Sequence, residues 1–373
     1  MEFEFNTKED IEHNVYMLSY ADESEENEKV LQKCIQKAQF YKDKDLEFEA
    51  RMAYLRQVNW LNKKEKAIAT MPWLLNRLDE GHNQDFAHNI LWMYKWIIIN
   101  LPDFAAISLA QIEQLTKDME KRFLDYGTGI RIVHYFKMIQ HSSMGQLEEA
   151  KAYMKLYLQD HSESNLDDCS ACQPNNLLSV YLNLKEYDSF LDKAAPLLSR
   201  AVTCKEVPDY TYPKTALVNY IVGNYDEAAA QALMARKKIK LKKAVLREMG
   251  HLLAYYALTK EFVKGRTIIE KQLDFCALTQ PELFLFRFYL GMLMFFTALH
   301  REGKKQIKLQ VETKSLLPIQ EGSCHVNEAL GWLQQQLQTL AHKLNIRNGN
   351  DFYAQEIQYY MGLLDQNRPA SHP

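Results

Sequence analysis

Apolar residues recur at three- and four-residue intervals along most of this chain, in runs long enough for helices rather than strands. Leu46, Ala50, Ala53, Tyr54 and Val58 form one such stripe, closed by the polar residues at 62–64, and a return helix begins near Lys64. Trp92, Trp96 and Ile99 form another, stopped by Pro102, and Ser108 is the kind of residue that caps a new helix. Continued along the chain, the pattern predicts about nine antiparallel helix pairs whose first helices begin near residues 7, 45, 83, 128, 170, 209, 243, 280 and 324. Two segments break the rhythm: the acidic stretch 160–168, and residues 316–323 before the last pair. The first reads as a surface loop, and neither reads as a flexible interdomain linker, since each is short and carries apolar residues that can dock.

A phrase nearly repeats within this pattern. A turn residue (Gly145, Lys185, Gly223, Lys260) is followed two later by a large apolar residue (Leu147, Tyr187, Tyr225, Phe262) and five later by Ala150, Phe190, Ala228 or Gly265. The large residues lie 40, 38 and 37 apart, a period that marks a helical-repeat array. With Tyr181 and Tyr256 six residues before two of the turn aromatics, the phrases resemble the tetratricopeptide repeat (TPR) over about residues 128–276. The spacing exceeds that family's 34, Phe190 stands where a small residue is expected, and the proline usual at the end of the second helix is absent. Segments 168–172, 203–208 and 250–259 look like blocks of a bacterial repeat-protein group.

The resemblance implies an all-α, right-handed superhelical solenoid, with degenerate repeats over 1–127, core repeats over 128–276, C-terminal repeats and a cap over 277–365, and a disordered tail at 366–373. It also implies a concave groove lined by the first helices. Projected onto the matching repeats, that inner wall carries Tyr135 and Ile139, then Asn175, Ser179 and Asn183, then Lys214, then Arg247 and His251. Asn, Lys and Arg are donors that hold a carboxylate. The family's carboxylate clamp, however, needs an Asn where this chain has Ser179, Leu217 or Ala254.

Composition narrows the classes. With 13 Gly and 10 Pro in 373 residues, the turn-dense chemistry of an all-β chain is missing, and strands are not expected. A net charge of -3 gives no global pull toward nucleic acid or an anionic membrane. The local exception is 236–243 (Arg-Lys-Lys-Ile-Lys-Leu-Lys-Lys), with a smaller version at Lys304, Lys305 and Lys308. No aromatics interleave those charges, so a solvated helix end is the simpler reading. The acidic N-terminus lacks the pattern of a secretory signal, and a reducing cytoplasm is expected. The apolar stretch 283–299, interrupted by Arg287, reads as the most buried helix and not as a membrane span.

Six cysteines are too few for a disulfide framework in a chain of this length, and Cys34 and Cys276 fall on apolar helix faces. Cys169-x-x-Cys172, with Cys204 about thirty residues on, is the sharpest chemical signal. Two thiolates at a helix start and a third from the following loop suit a structural zinc or an iron–sulfur centre. His161, Asp168, Glu206 and His251 are candidates for the fourth ligand, while a reducible disulfide or three unconnected thiols are the alternatives. There is no Gly-rich phosphate loop, no G-x-S-x-G and no H-E-x-x-H. The leading expectation is a non-enzymatic scaffold that holds a peptide or partner protein in its groove. A peptide-responsive sensor acting through proteins, or an effector using the cysteines or the basic run, are the alternatives.

Overall fold

A computed structural model describes residues 3–61, 63–239, 245–279, 281–311 and 316–366. Residues 240–243 of the basic run, and the expected tail beyond Gln366, lie outside the described residues. The described chain is predominantly helical and packs as two compact units, Met1–Asn100 with Lys117–Gly127, and Leu101–Thr116 with Thr128–Pro373.

The first unit contains α1 (Lys8–Tyr20), α2 (Glu25–Phe40), α3 (Lys44–Trp60), α4 (Lys64–Asp79), α5 (Ala87–Asn100) and the C-terminal part of α6 (Leu109–Asp125). Starts are fixed by caps. Thr7 accepts from the Asp10 backbone N–H while Asp10 reaches back to the Thr7 backbone, and Ser24 and Asp43 cap α2 and α3 with their side chains. Ile11, Val15 and Leu18 of α1, Leu31 and Cys34 of α2, Phe48, Leu55 and Val58 of α3, and Ile90 and Ile98 of α5 form the core.

The second unit contains α7 (Ile130–Ser143), α8 (Leu147–Gln159), α9 (Cys172–Leu184), α10 (Tyr187–Leu198), α11 (Tyr212–Val222), α12 (Tyr225–Lys238), α13 (Leu246–Leu258), α14 (Phe262–Cys276), α15 (Glu282–Arg301), α16 (Val326–Asn348) and α17 (Phe352–Leu363). The repeated phrase has a direct backbone meaning here. Gly145, Lys185, Gly223 and Lys260 all sit at positive φ, between 59° and 92°. The residue after each donates its N–H back to a carbonyl five positions earlier (Gln146 to His141, Glu186 to Tyr181, Asn224 to Asn219, Glu261 to Tyr256), the closure that ends a helix with a left-handed residue. The next residue, Leu147, Tyr187, Tyr225 or Phe262, opens the return helix. The fifth-position residues Ala150, Phe190 and Ala228 are fully buried, and a Cβ on Gly265 would lie 2.3 Å from the Phe295 ring.

Two features depart from expectation. No return helix is described for α15. A small antiparallel sheet follows instead, in the order β1 (Gln306–Lys308), β3 (Ser323–His325), β2 (Ile319–Gln320), so strands do occur where none were expected. Its hairpin turns on Glu321 and Gly322, both at positive φ (49° and 73°), the geometry a two-residue connection requires. Cys324 is the sheet's buried anchor.

The second departure concerns the inner wall expected for the second unit. There α17 packs on α15 and reaches the C-terminal ends of α7 and α9. Tyr353 donates its hydroxyl to the Ser143 carbonyl, the Asn350 amide donates to the Met144 carbonyl at 2.9 Å, and Phe352 occupies the space beside Gly145. Tyr359 meets the Tyr187 hydroxyl and lies under the Lys185 ammonium, 3.8 Å from its ring centroid. The Arg287 guanidinium of α15, 8% exposed, donates to Glu356 at 2.5 Å.

At the centre of this unit α13 and α15 cross backbone to backbone. A Cβ on Gly250 would lie 2.2 Å from the Arg287 carbonyl oxygen, and one on Gly291 would lie 2.3 Å from the Gly250 carbonyl oxygen. By length and composition α15 would pass as a membrane span, but 83% of its most apolar window is buried in the fold. It is apolar around its whole circumference because protein surrounds it.

Gly250→Ala is expected to destabilise the protein by about 1–3 kcal/mol, since the clash is with backbone that no side-chain rotation relieves. Gly331→Ala, in the exposed interior of α16 with open space where the methyl would go, is expected to stabilise by about 0.5–1 kcal/mol. Urea midpoints for the two variants check both signs.

Candidate functional site

The first unit carries a concave surface built by α1, α3 and α5. Val15, Tyr16, Ser19 and Tyr20 of α1, Phe48, Glu49, Met52, Ala53 and Arg56 of α3, and His88, Asn89, Trp92 and Met93 of α5, with Phe86, line a groove of about 700 Å³. The α1 stripe Ile11, Val15 and Leu18 faces the core, which leaves Tyr16 and Tyr20 turned outward at 65% and 77% exposure, edge to face with each other. A second hollow, about 600 Å³, flanks the same two tyrosines with Phe3, Met17 and Asn27. The groove therefore offers rings and thioethers, which adapt to an apolar side chain at small entropic cost.

Its charges are unequal. Arg56 is engaged with the α1 terminus, donating to the Ser19 carbonyl, to the Ala21 carbonyl at 2.8 Å and to Glu23. Glu49 has no ion-pair partner among the described residues. Partial burial, and then the like charges of Glu12, Asp43 and Asp45, push its carboxyl above the usual value. A cation brought into the groove would relieve that repulsion.

Of the inner-wall residues expected of the second unit, Tyr135, Lys214 and His251 are buried and the others are half-buried. Tyr135 is fully buried, and its hydroxyl accepts from the Asn176 amide at 2.9 Å. Asn183 lies between its neighbours, donating to Ser142 and accepting from Arg287 at 3.2 Å. Tyr135 and Asn183 are thus occupied by internal contacts, and Ile139 is half-buried. Asn175, Ser179 and Lys214 do come together: the Lys214 ammonium donates to the Asn175 carbonyl at 2.8 Å and to the Ser179 hydroxyl at 3.3 Å, while Thr211 donates to the Asn175 side chain. Arg247 is half-exposed beside Glu248, and His251 is buried.

Burial pushes the Lys214 ammonium down to about 7, with Arg247 acting in the same direction. Burial, then Arg287, Lys214 and Arg247, hold His251 well below its usual value, so its ring is neutral in the fold. Lys214 and His251 are 6% and 9% exposed, so they support the wall from within and do not present themselves to a partner.

The three cysteines converge. The Sγ atoms of Cys169, Cys172 and Cys204 all lie within 4.8 Å of one another, with Cys172 and Cys204 3.7 Å apart. Cys169 precedes α9 and accepts the backbone N–H of Cys172 at 3.3 Å. The turn bearing Cys204 is pinned by Val207, whose carbonyl accepts from the Cys204 N–H at 3.1 Å and the Thr203 hydroxyl at 2.8 Å. Such a cluster can hold a metal ion. Among the described residues His161, Asp168, Glu206 and His251 do not join it. Burial resists ionisation of Cys169, but hydrogen bonds from the Cys172 thiol and from the Cys172 and Ala171 backbone bring its thiol below the ordinary value. Burial and the neighbouring thiols push Cys172 up.

No protein-family model, no curated protein and no solved structure matches this chain.

The Lys214 environment carries a pH signature. Its folded value lies below its unfolded 10.5, so between about pH 7 and 10.5 the unfolded chain binds the extra proton and stability rises with pH. The group contributes at most about 1.4 kcal/mol per pH unit across that window. Lys214→Met is expected to flatten the rise relative to wild type. Urea unfolding from pH 6 to 10 checks it, and parallel curves for the two proteins would contradict the assignment.

Proposed function

We propose that this protein is a non-enzymatic, TPR-like scaffold that binds a peptide or partner protein, and that the bound segment lies in the groove of α1, α3 and α5. The observation that carries the reading is the exposed aromatic and thioether lining of that groove, contributed only by first helices and by Phe86 at the start of α5. Supporting the repeat reading are the 37–40-residue spacing and the shared closure after α7, α9, α11 and α13. A right-handed superhelical arrangement belongs to the same proposal. The unneutralised Glu49 selects the partner's chemistry: a segment with an aromatic or aliphatic anchor next to Lys or Arg.

A second reading concerns the cysteines. We propose that Cys169, Cys172 and Cys204 hold zinc, which ties the start of α9 to the loop before α11. Free thiols of this kind suit a reducing cytoplasm.

Selection from a displayed random-peptide library on the intact protein is expected to enrich aromatic or aliphatic residues beside basic ones. Selected peptides should lose about tenfold or more in affinity for Tyr16→Ala/Tyr20→Ala and for Glu49→Lys, and little for Arg247→Glu. Peptides that bind equally well to the groove variants would overturn this location, and loss only with Arg247→Glu would move the site to the second unit.

A further inference from the structure

We propose that the three-cysteine centre binds a thiophilic divalent cation, zinc in the first instance, with its fourth coordination position open to an external nitrogen or sulfur donor. This rests on the zinc reading above and adds the form of the site. The 3.7 Å between the Cys172 and Cys204 sulfurs is the edge of a tetrahedron whose metal–sulfur bonds are about 2.3 Å, an edge of about 3.8 Å. All three sulfurs fall within 4.8 Å of one another without any side chain having to move to another element.

The protein already supplies the scaffolding that a metal site needs. The Cys172 N–H is aimed at the Cys169 sulfur, where it stabilises negative charge on a thiolate. Val207 fixes the turn that presents Cys204. On binding, each ligating thiol gives its proton to solvent and its sulfur lone pair to the cation, so three protons are released and no electron changes hands. The resulting centre carries one net negative charge.

The open position follows from the donor count. A closed zinc site takes four protein ligands, and among the described residues no fourth His, Cys, Asp or Glu donor belongs to this cluster. Cys169 is exposed, so the cluster faces solvent on its side. A zinc ion with three thiolates and one exchangeable ligand accepts an imidazole or thiol from another molecule. The exchangeable position gives the second unit a means of contact that the inward-turned Lys214 and His251 do not provide.

Cobalt(II) serves as the probe, because its thiolate charge-transfer and ligand-field bands report ligand type and number. The full-length protein, reduced and held without oxygen or chelator, is titrated with cobalt and then with imidazole or 2-mercaptoethanol. The expected result is one cobalt bound with charge-transfer intensity for three thiolates, and ligand-field bands that shift on adding either donor. Cys204→Ser is expected to remove one thiolate's share of the intensity and weaken binding roughly tenfold or more. Cys169→Ser, at an exposed position, should do the same with unchanged circular dichroism. Absence of a thiolate band would sink the zinc reading itself. A full thiolate band whose ligand-field region ignores both added donors would leave zinc in place and overturn the open position.

Discussion

The contact between the backbones of Gly250 and Gly291 is the constraint on which the second unit rests. Only with no Cβ on either side can α13 and α15 approach until one helix's carbonyl meets the other's Cα. That approach explains why residue after residue of both helices is withdrawn from water, with Phe286, Phe288, Phe295 and Phe296 filling the space on every side of α15. A helix so surrounded has no polar face to give to solvent, and its one central cation must be answered from inside. Glu356 provides the answer, bringing α17 with it.

From that pairing follows the different character of the two units' first-helix faces. In the second unit α17 reaches the ends of α7 and α9 through Tyr353, Asn350 and Tyr359, and across those helices Asn176 pairs with Tyr135 and Asn183 with Ser142. In the first unit nothing among its own described helices covers Tyr16, Tyr20 and the Met52–Trp92 surface, so apolar area stays in water. An exposed, contiguous apolar area in a concave surface is the kind of feature that marks an interaction site.

Much of the helical plan was legible because its signals are local. The repeated phrase encodes a left-handed residue, a helix closure and a buried contact, and each is decided within six residues; the Lys185 and Lys260 turns adopt the same backbone as Gly145 and Gly223. The sheet was not legible, because Glu321-Gly322 lacks the Asn or Asp that announces such a turn and its strands are only two or three residues long. The convergence of Cys169, Cys172 and Cys204 could be read from spacing, since it joins neighbouring helix pairs. The fate of Tyr135, Lys214 and His251 could not, because it depends on how closely neighbouring helix pairs pack and not on residue type or spacing: Tyr135 meets Asn176, and Lys214 meets Asn175 and Ser179, of the adjacent pair. The groove of the first unit was not legible in the repeat pattern, because the repeat resemblance is specific only after residue 128. The available signal was Tyr16 and Tyr20, four apart and off the stripe of Ile11, Val15 and Leu18.

Native-state hydrogen exchange tests the central crossing most directly. If α13 and α15 hold the second unit together, the amides of 249–257 and 286–296 should exchange last in the chain and open only with global unfolding. Exchange of those amides by local opening, as fast as in the more exposed α8, would contradict the account.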